Sequence, residues 1–185
     1  MAAPAHTGSG REVFLGPDEM IITKTDPTGH ITYANRVFMR IVGYAEHQLL
    51  GQPHNIIRHP DMPRGAFRLL WKTLQSGREF FGVVKNYTAN GDFYWVFANI
   101  TPDYGIDHTL QGYFSVRRQA EKSAIDMVTP VYAEMLRIEA AHSKAQAPDA
   151  SMEWLLAELA RQGTDYEGLM LKINANAFTR KGDKA

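Results

Sequence analysis

The chain has 185 residues, enough for one compact domain with an appended segment and too few for two domains of ordinary size. Lys plus Arg and Asp plus Glu both number 20, so the formal net charge is zero and no overall field favours nucleic acid or an acidic membrane. Cysteine is absent, which excludes disulfides, cysteine-ligated zinc and thiol nucleophiles. No apolar run approaches the ~20 residues of a membrane span, and no secretion signal is visible, so we expect a cytoplasmic protein.

The first half of the chain predicts a hairpin followed by short helices. Residues 1–12 are mostly small and polar and predict a flexible arm before the ordered chain begins. Strands are predicted over residues 20–24 and 30–34, because a Pro-Thr-Gly turn separates two β-rich runs. Apolar residues at helical spacing between Gly and Pro breakers then predict three short helices, over residues 35–43, 46–50 and 65–74.

The second half of the domain predicts three strands. Residues 82–88 and 93–101 are rich in Val, Tyr, Phe and Trp, and Asn90-Gly91 between them is a strong hairpin signal. A last strand is predicted over residues 110–116. Two strands, short helices and three further strands predict an α+β fold with one five-stranded antiparallel sheet and the helices on one face.

A helical tail is predicted beyond residue 120. Ile125, Val128, Tyr132, Met135 and Ile138 recur at three- and four-residue steps, which is typical of an amphipathic helix. Pro148 is expected to end it, and two more short helices are predicted over residues 152–159 and 169–173. We therefore divide the chain at residues 1–12, 13–120 and 121–185 into a flexible arm, a central domain and a helical C-terminal region.

The strand at residues 93–99 needs cover on both faces. Phe93, Trp95 and Phe97 alternate with Tyr94, Val96 and Ala98, so both faces are apolar. One face should line an internal pocket, and the sequence leaves open which. The tail helix over residues 125–138 is expected to cover the other, either by folding back or by pairing with its copy in a homodimer.

One set of motifs in the middle of the chain carries a family resemblance. It comprises Ile31-Thr32-Tyr33-Ala34-Asn35, Gly43-Tyr44, the uninterrupted run from Leu49 to Pro63, Trp71, Gly82-Val83-Val84-Lys85-Asn86, Asn90-Gly91-Asp92 and Tyr94-Trp95-Val96. Over residues 18–118 this chain resembles the PAS superfamily, and within it the FAD-binding PAS domain of bacterial aerotaxis receptors. The run at residues 51–63 is the most specific part.

The resemblance implies an FAD site built from charged and amide side chains. In that family Arg58, His59 and Asp61 would help to hold FAD, since Arg and His can bind a diphosphate as charged donors. The alternative is a polar loop in which Asp61 caps the next helix and pairs with Arg58. Asn86 would face the pyrimidine edge of the flavin. The alternative is that Asn86 simply occupies a bulge or an edge position of the sheet.

Three further residues are placed near the pocket by the same resemblance. Asn35 and His54 are expected at its mouth, where His54 is a candidate pH switch or else a surface loop residue. Trp71 would stack near the flavin or pack in the core with its helical stripe. Light-driven adduct chemistry of the LOV photoreceptors is excluded, because Ile56 stands where they place a cysteine and the chain has none.

These features together predict that residues 13–120 form a sensor domain without catalytic activity and that residues 121–185 serve dimerisation or signal output. The expected function is redox or oxygen sensing through non-covalent FAD, relayed to a signalling partner as in aerotaxis. No nucleophile elbow, phosphate loop or metal-spaced histidine pair is present, so we do not expect an enzyme. Two alternatives stay open: a haem-binding gas sensor with His54 or His59 as the iron ligand, and a PAS dimerisation module without a cofactor.

Overall fold

The computed structural model describes residues 10–182, with side chains as far as residue 175. Most of the predicted flexible arm, residues 1–9, and the last three residues of the chain lie outside the described part. The sheet contains β1 (Ile21–Thr25), β2 (Ile31–Ala34), β3 (Phe80–Tyr87), β4 (Phe93–Tyr104) and β5 (Leu110–Gln119). Its strand order is β2-β1-β5-β4-β3 and every pairing is antiparallel, so the predicted fold class is confirmed.

Short helices connect β2 to β3. They are α1 (Arg36–Val42), α2 (Glu46–Leu49), a 3-10 helix (His54–Ile57) and α3 (Arg64–Gln75). The left-handed Gly43 ends α1, as its position after the apolar stripe predicts. The 3-10 turn was not predicted, because four residues between a Gly-Gln-Pro segment and an Arg-His-Pro segment carry no periodic signal.

Three helices form the tail, as predicted, with different boundaries. They are α4 (Lys122–Ala140), α5 (Ala147–Arg161) and α6 (Tyr166–Gly182). Pro148 lies in the first turn of α5, which begins at Ala147, and α4 already ends at Ala140, so the prediction that Pro148 ends the first tail helix was wrong. A proline is tolerated there because the first N–H groups of a helix have no intrahelical partner.

The two faces of the sheet pack against different parts of the chain. Tyr94 and Val96 lie in a core with α1 and the 3-10 helix, whereas Trp95 and Phe97 pack with α4, α5 and α6. The Tyr132 hydroxyl of α4 donates a buried hydrogen bond of 2.7 Å to the Val83 carbonyl of β3. The tail therefore folds back on its own sheet, and the face of Tyr94 is the inner one.

A tight junction joins α3 to the tail. The Gly65 N–H and the Ser151 hydroxyl both donate to Oε1 of Glu139, at 2.9 and 2.7 Å. A Cβ on Gly65 would overlap the Ser151 hydroxyl and lie 2.7 Å from the Met152 backbone nitrogen. The absence of a side chain at Gly65 is what allows α3 and α5 to approach. Within residues 10–182, no helix has both the length and the apolar character that crossing a membrane requires.

Candidate cofactor cavity

A cavity of about 330 Å³ lies between the inner face of the sheet and the connecting helices. Its walls come from β1, β3, β4, β5, the β1–β2 turn, the 3-10 helix and α3. The volume is near the lower end of the ~300–1,000 Å³ of small-molecule sites, which are mostly apolar with a few placed polar groups. This cavity has the same division: an apolar wall from α3 and polar groups along the strands.

The apolar wall is the stripe predicted for α3. Phe67, Leu70, Trp71 and Leu74 all line the cavity. The Trp71 ring meets Tyr113 edge-on, with centroids 5.5 Å apart. The β1–β2 turn closes over it at Gly29, whose φ is +89° and where a Cβ would lie 3.1 Å from the indole. Trp71 is thus both a packing residue and a cavity residue, as its two predicted roles allow.

His54 and Thr23 form part of the polar side. Nε2 of His54 lies 3.2 Å from the Thr23 hydroxyl, and the imidazole stacks on Phe38 at 5.8 Å. Burial, with Arg117 adding to it, lowers the pKa of His54 to about 3. A neutral imidazole at physiological pH does not act as the predicted pH switch.

Arg117 is a buried cation on the cavity wall. Its Nη1 donates to the Thr23 hydroxyl at 3.0 Å, and only 6% of the residue is exposed. Burial lowers the pKa of Arg117 to about 10, which leaves it charged at neutral pH. Among the residues that the structure describes, no carboxylate pairs with it.

Arg117 was not predicted as a site residue, because the last predicted strand ends at residue 116. A signal was present: Tyr113, Ser115 and Arg117 share one face of β5 by alternation, and all three line the cavity. The Ser115 hydroxyl is buried and has no hydrogen-bond partner in the described part of the chain. The charged Arg117 continues the alternation of two residues that face inward, and this pattern could have identified the wall.

Asn86 lies on the cavity wall near the end of β3. It is buried, and β3 is an edge strand of the sheet, so both the site and the edge interpretations describe its position. Its amide lies near the Tyr94 hydroxyl and acts to lower the pKa of that group. The hydroxyl nevertheless has no hydrogen-bond partner of good geometry in the described part of the chain. Burial raises the pKa of Tyr94 well above its ordinary value, so the phenol stays neutral.

The predicted charged cluster is divided by the fold. Arg58 reaches the cavity, where its Nη2 donates to the Met62 carbonyl at 2.9 Å and its guanidinium lies 4.7 Å from the Phe67 ring centre. His59 and Asp61 do not line the cavity. Nδ1 of His59 accepts from the Asp61 N–H at 3.1 Å, and the carboxylate of Asp61 pairs with Lys85 at 2.7 Å.

Asn35 stabilises the start of α1. Its Oδ1 accepts from the N–H groups of Phe38 and Ile22 at 2.9 and 3.2 Å, and its Nδ2 donates to the Met20 carbonyl. Asn35 is therefore the N-cap of α1 and joins it to β1, away from the cavity wall. Within the described residues, no group of three or more His, Asp and Glu side chains could hold a metal ion.

Comparison with known proteins agrees with this architecture. Residues 31–116 match the family model described as the PAS fold. The aerotaxis receptor of Escherichia coli is 43% identical over 118 residues, which are 64% of this chain and 23% of that protein. The nitrogen fixation regulatory protein of Klebsiella pneumoniae is 32% identical over 102 residues, or 55% of this chain and 21% of that one. The chain thus spans about a fifth of these relatives.

Solved structures show the same fold at low sequence identity. The light-state LOV domain of the photoreceptor Aureochrome1 aligns with a TM-score of 0.53 and 20% identity, covering 60% of this chain and 88% of that one. A light-oxygen-voltage domain from a flavin-analogue study aligns with a TM-score of 0.53 and 22% identity, covering 62% and 87%.

Proposed function

We propose that this chain, whose residues 31–116 form a PAS domain similar to that of aerotaxis receptors, is a redox sensor that binds FAD non-covalently in the cavity. It relays the oxidation state of the flavin through its tail to a partner protein. The observation that carries the proposal is a cavity with an aromatic wall on one side and buried, partly unpartnered polar groups on the other.

The residues present fit a flavin ring. Oxidised isoalloxazine is a flat tricycle with an apolar end and a pyrimidine end that carries one N–H donor between two carbonyl acceptors. Trp71 and Leu70 would exclude water from the ring, and the Asn86 amide offers a donor and an acceptor to its polar edge. The unpartnered Ser115 hydroxyl and the buried Arg117 are further groups that a ligand would satisfy.

When bound, the flavin supplies reversible electron transfer, and the protein residues hold and orient it. Arg117 and Thr23 fix a positive, hydrogen-bonded wall, while the neutral His54 adds no second charge. We expect no catalysis, because the charged and polar groups around the cavity serve binding. Metal chemistry is not part of the proposal.

The relay is proposed to run through α3. Phe67 and Trp71 of this helix line the cavity, and Gly65 of the same helix packs against α5.

We propose residues 13–120 as the sensor domain and residues 121–185 as the output region, in a cytoplasmic homodimer. Sedimentation of the full chain at several concentrations tests the dimer, and a monomer throughout would contradict it.

The absorption spectrum of the purified full chain tests the cofactor. We expect the bands of oxidised flavin, and denaturation should release FAD into the supernatant. FMN instead of FAD would correct the cofactor, whereas a Soret band would establish the haem alternative. Protein with neither chromophore, which also fails to bind added flavin, would leave the cofactor-free module.

Arg58 provides the first variant. Arg58→Ala removes a charged group from the cavity wall, worth roughly 1.5–3 kcal/mol, and should weaken FAD binding about ten- to hundredfold. Arg36→Ala, on the exposed side of α1, is the matched control and should bind FAD as the wild type does. Equal affinity of the two variants would remove Arg58 from the site.

A further inference from the structure

The proposed FAD is larger than the cavity that would hold its ring. A volume of about 330 Å³ suits a tricyclic ring, while FAD also carries a ribityl chain, a diphosphate and an adenosine. The phosphate-bearing part must therefore lie outside, near an opening. Cationic side chains bind phosphate through strong, charge-assisted hydrogen bonds, so the cations at the border of the cavity indicate its path.

The family cluster offers few free groups for this role. Arg58 already donates to Met62 and lies on the Phe67 ring, inside the cavity. His59 accepts from the Asp61 N–H and its ring lies 4.1 Å from that of Tyr87. Asp61 is paired with Lys85, and a carboxylate repels phosphate.

A groove on the outer side of α3 has the opposite character. It measures about 430 Å³ and shares Phe67 and Trp71 with the cavity, so these two side chains form the border between the spaces. Arg64, Arg68 and Lys72 line it at successive four-residue steps, which places them on one face of the helix. No carboxylate pairs with Arg64 in the described part of the chain.

Two of these cations already converge on an anionic group. The Asp149 carboxylate, in the first turn of α5, lies 3.3 Å from Nε of Arg68 and 3.8 Å from Nζ of Lys72. The side chains are half exposed, so this contact is weak and replaceable. The two cations can thus approach one oxyanion together, and three cations against one carboxylate leave the groove positive.

We propose that the groove formed by Arg64, Arg68 and Lys72 is the binding site for the phosphate groups of the flavin nucleotide, which leaves the cavity between Phe67 and Trp71. The inference rests on the proposed flavin function. It assigns the phosphate to α3, and it assigns to His59 and Asp61 the role of supporting the loop rather than contacting the ligand. Asp149 competes with the phosphate for Arg68 and Lys72.

Titration of the flavin-free full chain with FAD, FMN and riboflavin tests the proposal. The triple variant Arg64→Gln, Arg68→Gln, Lys72→Gln should bind FAD and FMN about tenfold more weakly and riboflavin, which has no phosphate, as the wild type does. The matched control is Arg36→Gln, Lys144→Gln, Lys172→Gln, which removes three exposed cations elsewhere and should change no affinity. Added salt should weaken FAD but not riboflavin.

Asp149→Asn provides a variant with the opposite sign. It frees Arg68 and Lys72, so FAD should bind about two- to fivefold more tightly, which a folding defect would not produce. Unchanged FAD affinity in both the triple variant and Asp149→Asn would overturn the phosphate site. Equal weakening of riboflavin and FAD in the triple variant would also overturn it, whereas failure of all three flavins to bind the wild type would defeat the proposed function itself.

Discussion

At the scale of single residues, the imidazole of His54 makes folding depend on pH. Burial lowers its pKa from the ordinary 6.5 to about 3, so between these values the unfolded chain binds a proton that the folded chain does not. Stability must then fall as the pH falls through this window, by up to about 1.4 kcal/mol per pH unit. Between pH 7 and pH 5 this amounts to about 2 kcal/mol.

Urea unfolding at pH 7, 6 and 5 measures this dependence. His54→Gln keeps a polar partner for Thr23 but removes the titration, so its free energy of unfolding should fall less than that of the wild type over the same range. His47→Gln, which removes an exposed imidazole on α2, should follow the wild-type profile. Parallel profiles for all three proteins would show that His54 is accessible to protons in the folded state.

At the scale of elements, the approach of α3 to α5 depends on Gly65. Alanine normally favours a helix over glycine by about 1 kcal/mol. In Gly65→Ala, however, the new methyl group would overlap the Ser151 hydroxyl and lie 2.7 Å from the Met152 nitrogen, so the helices must separate. We expect a net loss of about 1–3 kcal/mol, as in other overpacked interiors.

Thermal and urea unfolding measure this loss. Gly168→Ala in α6 is the control, because its methyl group would meet the end of the Thr164 side chain at 2.8 Å, which can move away. Gly65→Ala, Ser151→Ala should recover part of the stability and not all, since the Met152 backbone remains. A Gly65→Ala protein as stable as the wild type would mean that the two helices separate at little cost.

At the scale of the whole molecule, the tail replaces solvent over the outer face of the sheet. Trp95 and Phe97 are 7% and 8% exposed because α4, α5 and α6 pack over them, and the Tyr132 hydroxyl fixes α4 to β3. A chain that ends at Arg118 would expose this aromatic face, and we expect it to self-associate. Sedimentation beside the full chain measures this. Two monodisperse monomers would show that the sheet needs no cover and would also exclude the dimer.

Local sequence patterns determined most of the elements and one wall of the cavity. Turn residues, alternation and helical spacing act between near neighbours, so they predicted five strands, the apolar stripe of α3 and the amphipathic α4. The resemblance added Arg58, His54, Trp71 and Asn86, which the structure brings to one cavity. The resemblance could not separate these four residues from Asn35, His59 and Asp61. Family spacing does not show which side chains are already engaged in local hydrogen bonds.

The tertiary structure decided what depends on distant segments meeting. It placed the Tyr94 face inward and the Trp95 face under the tail, a choice that a one-residue change of register would reverse. It brought the Arg117 side chain beside Thr23, 94 positions away, and set Asp149 of the tail against the cations of α3. Burial and the pKa of His54 follow from such contacts, because desolvation depends on everything packed around a group rather than on its neighbours in sequence.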